Sequence, residues 1–275
     1  MRGADVKDAQ VQLVRRGYLP KSSIDGVFGP VSANAAKDAK WDIGYAARDA
    51  TPTYGPLLHA YLEGRKKPTS LMRLRAKRRS EQPPADTIGQ KAAATMVSWY
   101  QAGWKEYPAG SNFVPQLSAL AKDLGLASYF YSMRYPWCAL GVFTAALKHQ
   151  SKTAEAGLKR GAFNALYTPE IRVMAERGSF GMRAVSRSAI DRGVCVLFDF
   201  GGANGGEVDH IGIALGKPGK TVNAGGRRWT PGPGEVVCVE ANTSYEGQPG
   251  SQADGGAVAI RIRDTGLIRT PFTIT

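Results

Sequence analysis

The chain has 275 residues, enough for one large domain or for a small and a medium one, and its composition is ordinary for a globular protein. The longest apolar runs, such as residues 139–147, are far too short to cross a bilayer. The net charge of +13 favours polyanionic partners, namely nucleic acid, an anionic membrane or an anionic cell-wall polymer, without choosing among them.

The first 64 residues predict a bundle of three short helices, over residues 11–18, 31–45 and 57–62. The amino-terminal stretch MRGADVKDAQ has no apolar segment after its positive charge, so we expect no secretory signal peptide. Tight turns are expected between the first two helices, because Gly tolerates positive φ and Pro fixes φ. The turn sequence is Asp25-Gly26-Val27-Phe28-Gly29-Pro30.

Residues 65–86 are expected to form an exposed linker. Residues 65–80 contain eight Lys or Arg and no acid, and two prolines follow at Pro83 and Pro84. Charge repulsion and proline both disfavour compact structure. A contact with nucleic acid or an anionic polymer is the alternative, and the same segment can serve as both linker and contact.

Residues 87–275 change from helical to strand patterns along the chain, which predicts an α+β domain with helices packed on an antiparallel sheet. Helices are expected over residues 90–107, 138–149 and 169–178, and strands over 194–200, 208–215, 236–242 and 258–263. Loops rich in Gly and Asn are expected at 201–206, 217–234 and 247–256.

The chain has three cysteines, an odd number without a Cys-x-x-Cys pair, which disfavours a disulfide framework or a zinc cluster. Cys138 follows Pro136-Trp137 and falls in the first turn of a predicted helix, where the helix dipole favours thiolate. Cys195 and Cys238 lie inside apolar strand patterns, where burial disfavours it. Cys138 is therefore the candidate nucleophile; the alternative is that all three are small buried hydrophobes.

Only one histidine is a suitable partner for this thiol. His59 lies in the first block, and His149 ends the Cys138 helix about 16 Å away at ~1.5 Å per residue. His210 remains, on a predicted strand whose alternation places it with Gly212 and opposite the apolar side chains. The small neighbour leaves room for a helix or a substrate beside the imidazole.

The next predicted strand carries Glu240 and Asn242 two residues apart, and therefore on one face. A carboxylate and an amide on an apolar strand need polar partners, and His210 is the natural one. We expect Cys138 to attack an amide carbonyl, His210 to move the proton, Glu240 to orient His210 and Asn242 to support the site. The backbone N–H of Cys138 is a candidate oxyanion donor.

Three motifs follow one another in the second block: Pro136-Trp137-Cys138-Ala139, Asp209-His210-Ile211-Gly212-Ile213 and Val239-Glu240-Ala241-Asn242-Thr243-Ser244. Through them residues 135–272 resemble the CHAP family, the cysteine, histidine-dependent amidohydrolases and peptidases of the papain-like superfamily. The resemblance implies a papain-like fold and cleavage of a peptidoglycan amide without a metal or other cofactor. Trp137 and Asp209, which precede Cys138 and His210, are candidates for substrate contacts.

The turn around Asp25-Gly26-Val27-Phe28-Gly29-Pro30, with Tyr54-Gly55-Pro56 before the last helix, resembles the three-helix peptidoglycan-binding domain. The resemblance implies wall contacts at Asp25, Gly26, Phe28, Gly29 and Tyr54. A wall binder joined to a wall cutter without a signal peptide resembles a phage endolysin. We therefore expect a monomer made in the host cytoplasm, released by a holin, which acts on peptidoglycan and possible anionic wall polymers and lyses the host.

Other classes fit less of the sequence. An inactive, non-enzymatic adhesion protein with this fold would not need Cys138, His210 and Glu240 together. Specific nucleic-acid binding through residues 65–79 lacks a zinc-finger, helix-turn-helix or RNA-stacking motif. A metal hydrolase is disfavoured because His210 is the one histidine of the predicted strands. The choice between a muramoyl-alanine amidase and a peptide endopeptidase stays open.

Overall fold

The computed structural model describes residues 3–80, 87–132, 134–201, 207–245 and 254–275. The described helices are α1 (Ala4–Arg15), α2 (Pro30–Ile43), α3 (Pro56–Leu62), α4 (Ser70–Ser80), α5 (Ile88–Gln101), α6 (Pro115–Asp123), α7 (Ser128–Ser132), α8 (Cys138–Leu147), α9 (Lys152–Ala154) and α10 (Thr168–Arg177). The strands are β1 (Arg183–Ala184), β2 (Cys195–Phe198), β3 (His210–Ala214), β4 (Val222–Ala224), β5 (Arg227–Trp229), β6 (Glu235–Thr243), β7 (Ala257–Asp264) and β8 (Phe272–Thr273). The predicted α+β class is confirmed.

Helices α1, α2 and α3 form the small amino-terminal bundle. Pro30 and Pro56 are the first residues of α2 and α3, a position where the missing N–H costs no hydrogen bond. The bundle buries its own apolar cluster, with Leu13 and Leu58 fully enclosed and Phe28 and Tyr54 packed at its edge. The element type was predicted for all three helices, although α1 begins seven residues before the expected position 11.

The segment expected as a linker over residues 65–86 contains a helix. Ser70–Ser80 form α4, which packs against α2 and against the short 3-10 turn Arg187–Ala189 of the second block. Met72 is buried there, and the guanidinium of Arg79 lies 3.6 Å above the ring of Trp41. Residues 81–86 lie outside the described part. The run of basic residues correctly predicted that one side of this segment is exposed. It did not predict the helix or the side of the helix that packs against the protein.

The main sheet has six strands in the order β1-β8-β2-β3-β6-β7, and every described pairing is antiparallel. Apolar clusters cover both of its faces, so β2, β3 and most of β6 are buried throughout. Helix α8, buried along its whole length, packs against β3, β6 and α5. A Cβ on Gly141 would lie 2.5 Å from the Cβ of Ala241, so glycine permits the close approach of α8 to β6.

The expected loop over residues 217–234 is partly a hairpin. Strands β4 and β5 pair across Gly225 and Gly226, which have φ values of +61° and +80° as a tight two-residue turn requires. The other two expected loops, 201–206 and 247–256, fall largely outside the described residues. No helix among those described is both long enough and apolar enough to cross a membrane.

A seam of charged side chains joins the bundle to the sheet domain. Lys37 of α2 pairs with Glu176 of α10 at 2.8 Å. Arg187 donates to the carbonyl of Gly17 at 2.8 Å and lies 3.4 Å from a carboxylate oxygen of Asp38. The seam encloses a cavity of about 50 Å³. The bundle therefore contacts the second block through specific polar bonds.

Candidate functional site

Cys138 is the first residue of α8, as the sequence predicts. The backbone N–H groups of the first helical turn have no partner within the helix, so they are available to an anion or an oxyanion. The thiol is free of any disulfide and is 4% exposed. The structure therefore places the candidate nucleophile at the positive end of a buried helix.

His210 is the first residue of β3 and pairs in register with Phe198 of β2. Its Nε2 lies 3.1 Å from Oε2 of Glu240, and both side chains are fully buried. The other ring nitrogen, Nδ1, is buried without a hydrogen-bond partner among the described residues. An ionised Glu240 can only accept, so Nε2–H is the donor, and in the neutral ring Nδ1 carries the lone pair that accepts a proton.

Glu240 is held by an arginine that the sequence analysis did not select. Nε of Arg263, on the neighbouring strand β7, donates to Oε1 of Glu240 at 2.7 Å, and Nη2 donates to Oε2. A Cβ on Gly212 would lie 2.7 Å from Cγ of Glu240, so the space that the sequence offers beside His210 is occupied by this carboxylate. Arg263, Glu240 and His210 thus form one continuous buried chain of charge-assisted hydrogen bonds.

Two stacked aromatic rings line this chain. The rings of Phe198 and Phe200 are 5.5 Å apart and nearly parallel. Their centroids lie 6.1 Å and 5.8 Å from that of His210, and the guanidinium of Arg263 lies 4.8 Å from the Phe200 ring. Apolar walls lower the local dielectric and strengthen the electrostatic interactions between the three polar groups.

The pKa values follow from these contacts. Burial lowers the pKa of His210, but side-chain interactions with Cys138 and Glu240 outweigh burial and bring this pKa to about 9. Burial raises the pKa of Glu240, but the Arg263 guanidinium and His210 outweigh it and bring this pKa to about 2. Among the described residues no hydrogen bond of standard geometry reaches Nδ1, but α8, which begins at Cys138, packs against β3, which begins at His210. In enzymes with a cysteine–histidine pair this bond is commonly loose before substrate binds.

Asn242 is buried, and its backbone departs from the strand conformation on which the predicted shared face with Glu240 relies. Its φ is +56°, and the β6–β7 register shifts between Glu240 and Thr243. Its side-chain nitrogen donates to Asp254 at 2.8 Å, and its oxygen accepts from the backbone N–H of Gly256 at 3.3 Å. Among the described residues, its side chain therefore holds the segment just before β7 and makes no hydrogen bond to His210.

The two candidate substrate contacts have structural partners. Trp137 is 2% exposed, and its indole N–H donates to Glu106 at 2.9 Å, so its side chain packs in the core. Its expected contact with substrate stays a prediction. Asp209 is half-buried and accepts from the backbone N–H of Phe200 at 3.3 Å. Burial is the main cause that raises the pKa of Asp209.

The remaining thiols and histidines lie elsewhere. Burial raises the pKa of Cys195 to about 12 and that of Cys238 well above its usual value, which agrees with their exclusion as nucleophiles. His149 is bonded to Thr95 at 2.8 Å. Among the described residues, no three or more His, Cys, Asp or Glu side chains are grouped so that they could hold a metal ion.

Some of the residues expected to contact the wall form a turn, and others line a groove. Asp25 accepts from Gln10 at 2.7 Å and from the backbone of Val27 at 2.8 Å, which fixes the turn, and Gly26 has a φ of +78°. Phe28 and Tyr54 line a groove of about 380 Å³. Gly29, which caps α2, is not among the groove-lining residues. The other lining residues are Asp5, Val6, Asp8, Ala9, Gly55, Pro56 and His59.

The chain was compared with protein-family models, with curated proteins and with solved structures. None of the three comparisons gives a match. The geometry of the site and its chemistry therefore carry the functional inference.

Proposed function

We propose that the protein is a cysteine-dependent peptidoglycan hydrolase that cleaves an amide bond of the wall peptide. The single observation that supports this most is the setting of the His210 ring. Its Nε2 is bound to Glu240, its Nδ1 has no hydrogen-bond partner among the described residues, and the helix that begins at Cys138 packs against its strand. A nucleophile, a general base and a group that orients the base are the three parts of nucleophilic amide hydrolysis.

In the proposed reaction, Nδ1 of His210 holds the proton taken from Cys138 before attack, because the raised pKa of His210, about 9, favours the imidazolium at neutral pH. The Cys138 sulfur then attacks the amide carbonyl carbon. Backbone N–H groups at the start of α8 stabilise the negative oxygen of the tetrahedral intermediate. His210 returns the proton to the leaving amine as the C–N bond breaks, which leaves a thioester on Cys138. Water, deprotonated by His210, then cleaves the thioester and regenerates the thiol.

Glu240 and Arg263 are proposed to act through His210. Glu240 keeps the proton of neutral His210 on Nε2 and stabilises the imidazolium that forms during proton transfer. Arg263 keeps Glu240 ionised in a buried position. Asn242 is proposed to hold the neighbouring chain in place.

The substrate is proposed from the resemblance to CHAP enzymes and to the three-helix peptidoglycan-binding domain. The groove lined by Phe28 and Tyr54 offers aromatic surface to a wall fragment. A phage endolysin, released by a holin and acting on the host wall, is the proposed biological setting.

The test is digestion of purified peptidoglycan by the parent protein and by Cys138→Ala. We expect the variant to lose activity by at least about 1,000-fold, because the nucleophile is removed. Cys195→Ala, which removes a buried thiol away from His210, is the matched control and should keep most of the activity. Mass spectrometry of the fragments distinguishes release of the intact stem peptide from cleavage within it. Equal clearing by Cys138→Ala and the parent protein would refute the proposal.

A further inference from the structure

The outer face of α4 combines exposed leucines with cations. Leu71 and Leu74 are 55% and 46% exposed. They lie one helical turn apart, and Arg78 continues the same stripe. Arg73 and Lys77 flank Leu74 on its other side. Residues 65–80 hold eight of the chain's 36 Lys and Arg residues and no acid, so the surface around the leucines is strongly basic.

The opposite face of α4 is fixed to the rest of the molecule. Met72 is buried against the bundle. The guanidinium of Arg79 stacks on Trp41 and donates to the carbonyl of Tyr45 at 3.0 Å. The carbonyl of Arg79 accepts from the backbone N–H of Ser186 at 2.8 Å. Because the side of α4 that carries Met72 and Arg79 contacts the bundle and the sheet domain, the opposite side, which carries the leucines, points away from the protein.

We propose that this face of α4, formed by Leu71, Arg73, Leu74, Lys77 and Arg78, binds the surface of an anionic phospholipid bilayer. The leucines enter the boundary between headgroups and acyl chains, and the cations pair with lipid phosphates. The helix lies on the membrane and does not cross it.

The leucines distinguish this partner from other polyanions. Nucleic acid would neutralise the cations but would leave Leu71 and Leu74 in water, as would a soluble anionic polymer. Lipid binding gives both kinds of side chain a favourable environment, since it buries the apolar surface beside the charges. The property is separate from amide hydrolysis, and binding does not depend on Cys138.

The experiment is flotation of the full chain with vesicles of phosphatidylcholine, either pure or containing about a quarter phosphatidylglycerol. We expect binding to the anionic vesicles only. Neutralising three cations should lower the partition coefficient about 100-fold, because each cation near an anionic surface contributes about fivefold. The charge variant is Arg73→Gln/Lys77→Gln/Arg78→Gln. The leucine variant, Leu71→Ser/Leu74→Ser, should lower the partition coefficient about tenfold, because less apolar surface is buried in the bilayer.

A matched control removes three exposed cations from another surface, in the variant Lys148→Gln/Lys159→Gln/Arg160→Gln. It should bind the vesicles nearly as the parent protein does. Circular dichroism and thermal unfolding verify that each variant is folded. An equal loss of binding in this control and in the α4 charge variant would mean that net charge alone drives association, and would overturn the proposal.

Insertion is measured with an environment-sensitive fluorophore on Leu74→Cys in a Cys138→Ala background. Cys195 and Cys238 are fully buried, so the probe reacts at position 74. We expect a blue shift of the emission on anionic vesicles. An unshifted emission, or unchanged binding by Leu71→Ser/Leu74→Ser, would overturn the proposal. Binding of double-stranded DNA without binding of vesicles would also overturn it, and would assign the face to nucleic acid.

Discussion

The pKa values of two carboxylates, one fully buried and one half-buried, are shifted in opposite directions. The pKa of Glu240, beside His210, falls to about 2, whereas that of Asp42, in the seam between the bundle and the sheet domain, rises to about 7. Burial raises the pKa in both places, so the difference lies in the partners. Arg263 gives Glu240 two charge-assisted bonds, whereas the bonds that Asp42 accepts from other described residues are long, from Tyr18 at 3.3 Å and from the Arg187 backbone at 3.4 Å.

The charge of Arg187 lowers the pKa of Asp42, but less than burial raises it, because the Arg187 guanidinium makes most of its hydrogen bonds to backbone carbonyls. It donates to the carbonyls of Gly17, Thr265 and Ile268. Its nearest carboxylate is that of Asp38, whose negative charge raises the pKa of Asp42 further. The comparison shows that the number of short bonds to a cation, more than burial, decides whether such a carboxylate stays ionised.

The largest expected effect is that of Arg263→Met. This variant leaves the Glu240 carboxylate buried without its cation, so the free energy of unfolding should fall by about 3–5 kcal/mol, and hydrolysis should be lost. Guanidinium unfolding at neutral pH measures the first effect. The control is Arg228→Met, on the exposed strand β5, which should cost less than about 1 kcal/mol. Equal stability of the two variants would mean that Glu240 does not depend on Arg263.

Asp42→Asn is expected to have a smaller effect of the opposite sign. Because the folded-state pKa of Asp42 is raised from 3.8 to about 7, its contribution to stability is complete below pH 3.8 and is lost as pH rises through 7. Neutral asparagine escapes this loss. The variant should be more stable than the parent protein at pH 8 by about 2 kcal/mol, a figure reduced for the partial exposure of Asp42 to the seam cavity.

At pH 4 the Asp42→Asn variant and the parent protein should unfold at nearly the same temperature. Thermal unfolding at the two pH values measures this, and the exposed Asp49→Asn serves as the control. A stability difference of the same size at pH 4 and at pH 8 would show that the ionisation of Asp42 is not its cause.

The smallest expected effect is that of Cys138→Ala on the pKa of His210. Burial lowers this pKa, whereas Cys138 and Glu240 raise it. The folded-state pKa of His210, about 9, lies above the ordinary 6.5, so the contribution of His210 to stability is complete below pH 6.5 and is lost as pH rises through 9. Cys138→Ala removes one of the two raising interactions, and the pKa of His210 should fall. Each unit of decrease corresponds to about 1.4 kcal/mol.

Titration of the His210 ring signals by NMR measures the change in pKa. Cys195→Ala should leave the midpoint unchanged. The same midpoint in Cys138→Ala and in the parent protein would show that the thiol does not interact with the imidazole.

Much of the fold could be predicted because its signals are local. The apolar runs of β2 and β3, and the helix that begins at Cys138, lie within a few residues of the expected bounds. His210 was selected because the other two histidines could not reach Cys138, and Glu240 because an apolar strand makes an isolated polar side chain costly. The pairing of β3 with β6 then brings the two together.

The features that sequence analysis missed depend on contacts between distant segments. Arg263 alternates with apolar residues on β7 and resembles a solvent-facing residue; only the need of Glu240 for a cation pointed to it. The left-handed backbone of Asn242 breaks the alternation on which its predicted face relied. The β4–β5 hairpin did leave a local signal, the Gly225-Gly226 pair, which was overlooked among other glycines.

The charged seam limits how this protein can be recombined with others. A chimera that replaces residues 1–64 by an unrelated domain would leave Arg172 and Arg187 without Asp38, and Glu176 without Lys37. It would also separate Arg79 of α4 from Trp41. A chimera should therefore exchange α4 together with the bundle and also replace Arg172 and Arg187, which would lose their partner. Alternatively, the new domain should keep Lys37, Asp38 and Trp41 at equivalent positions.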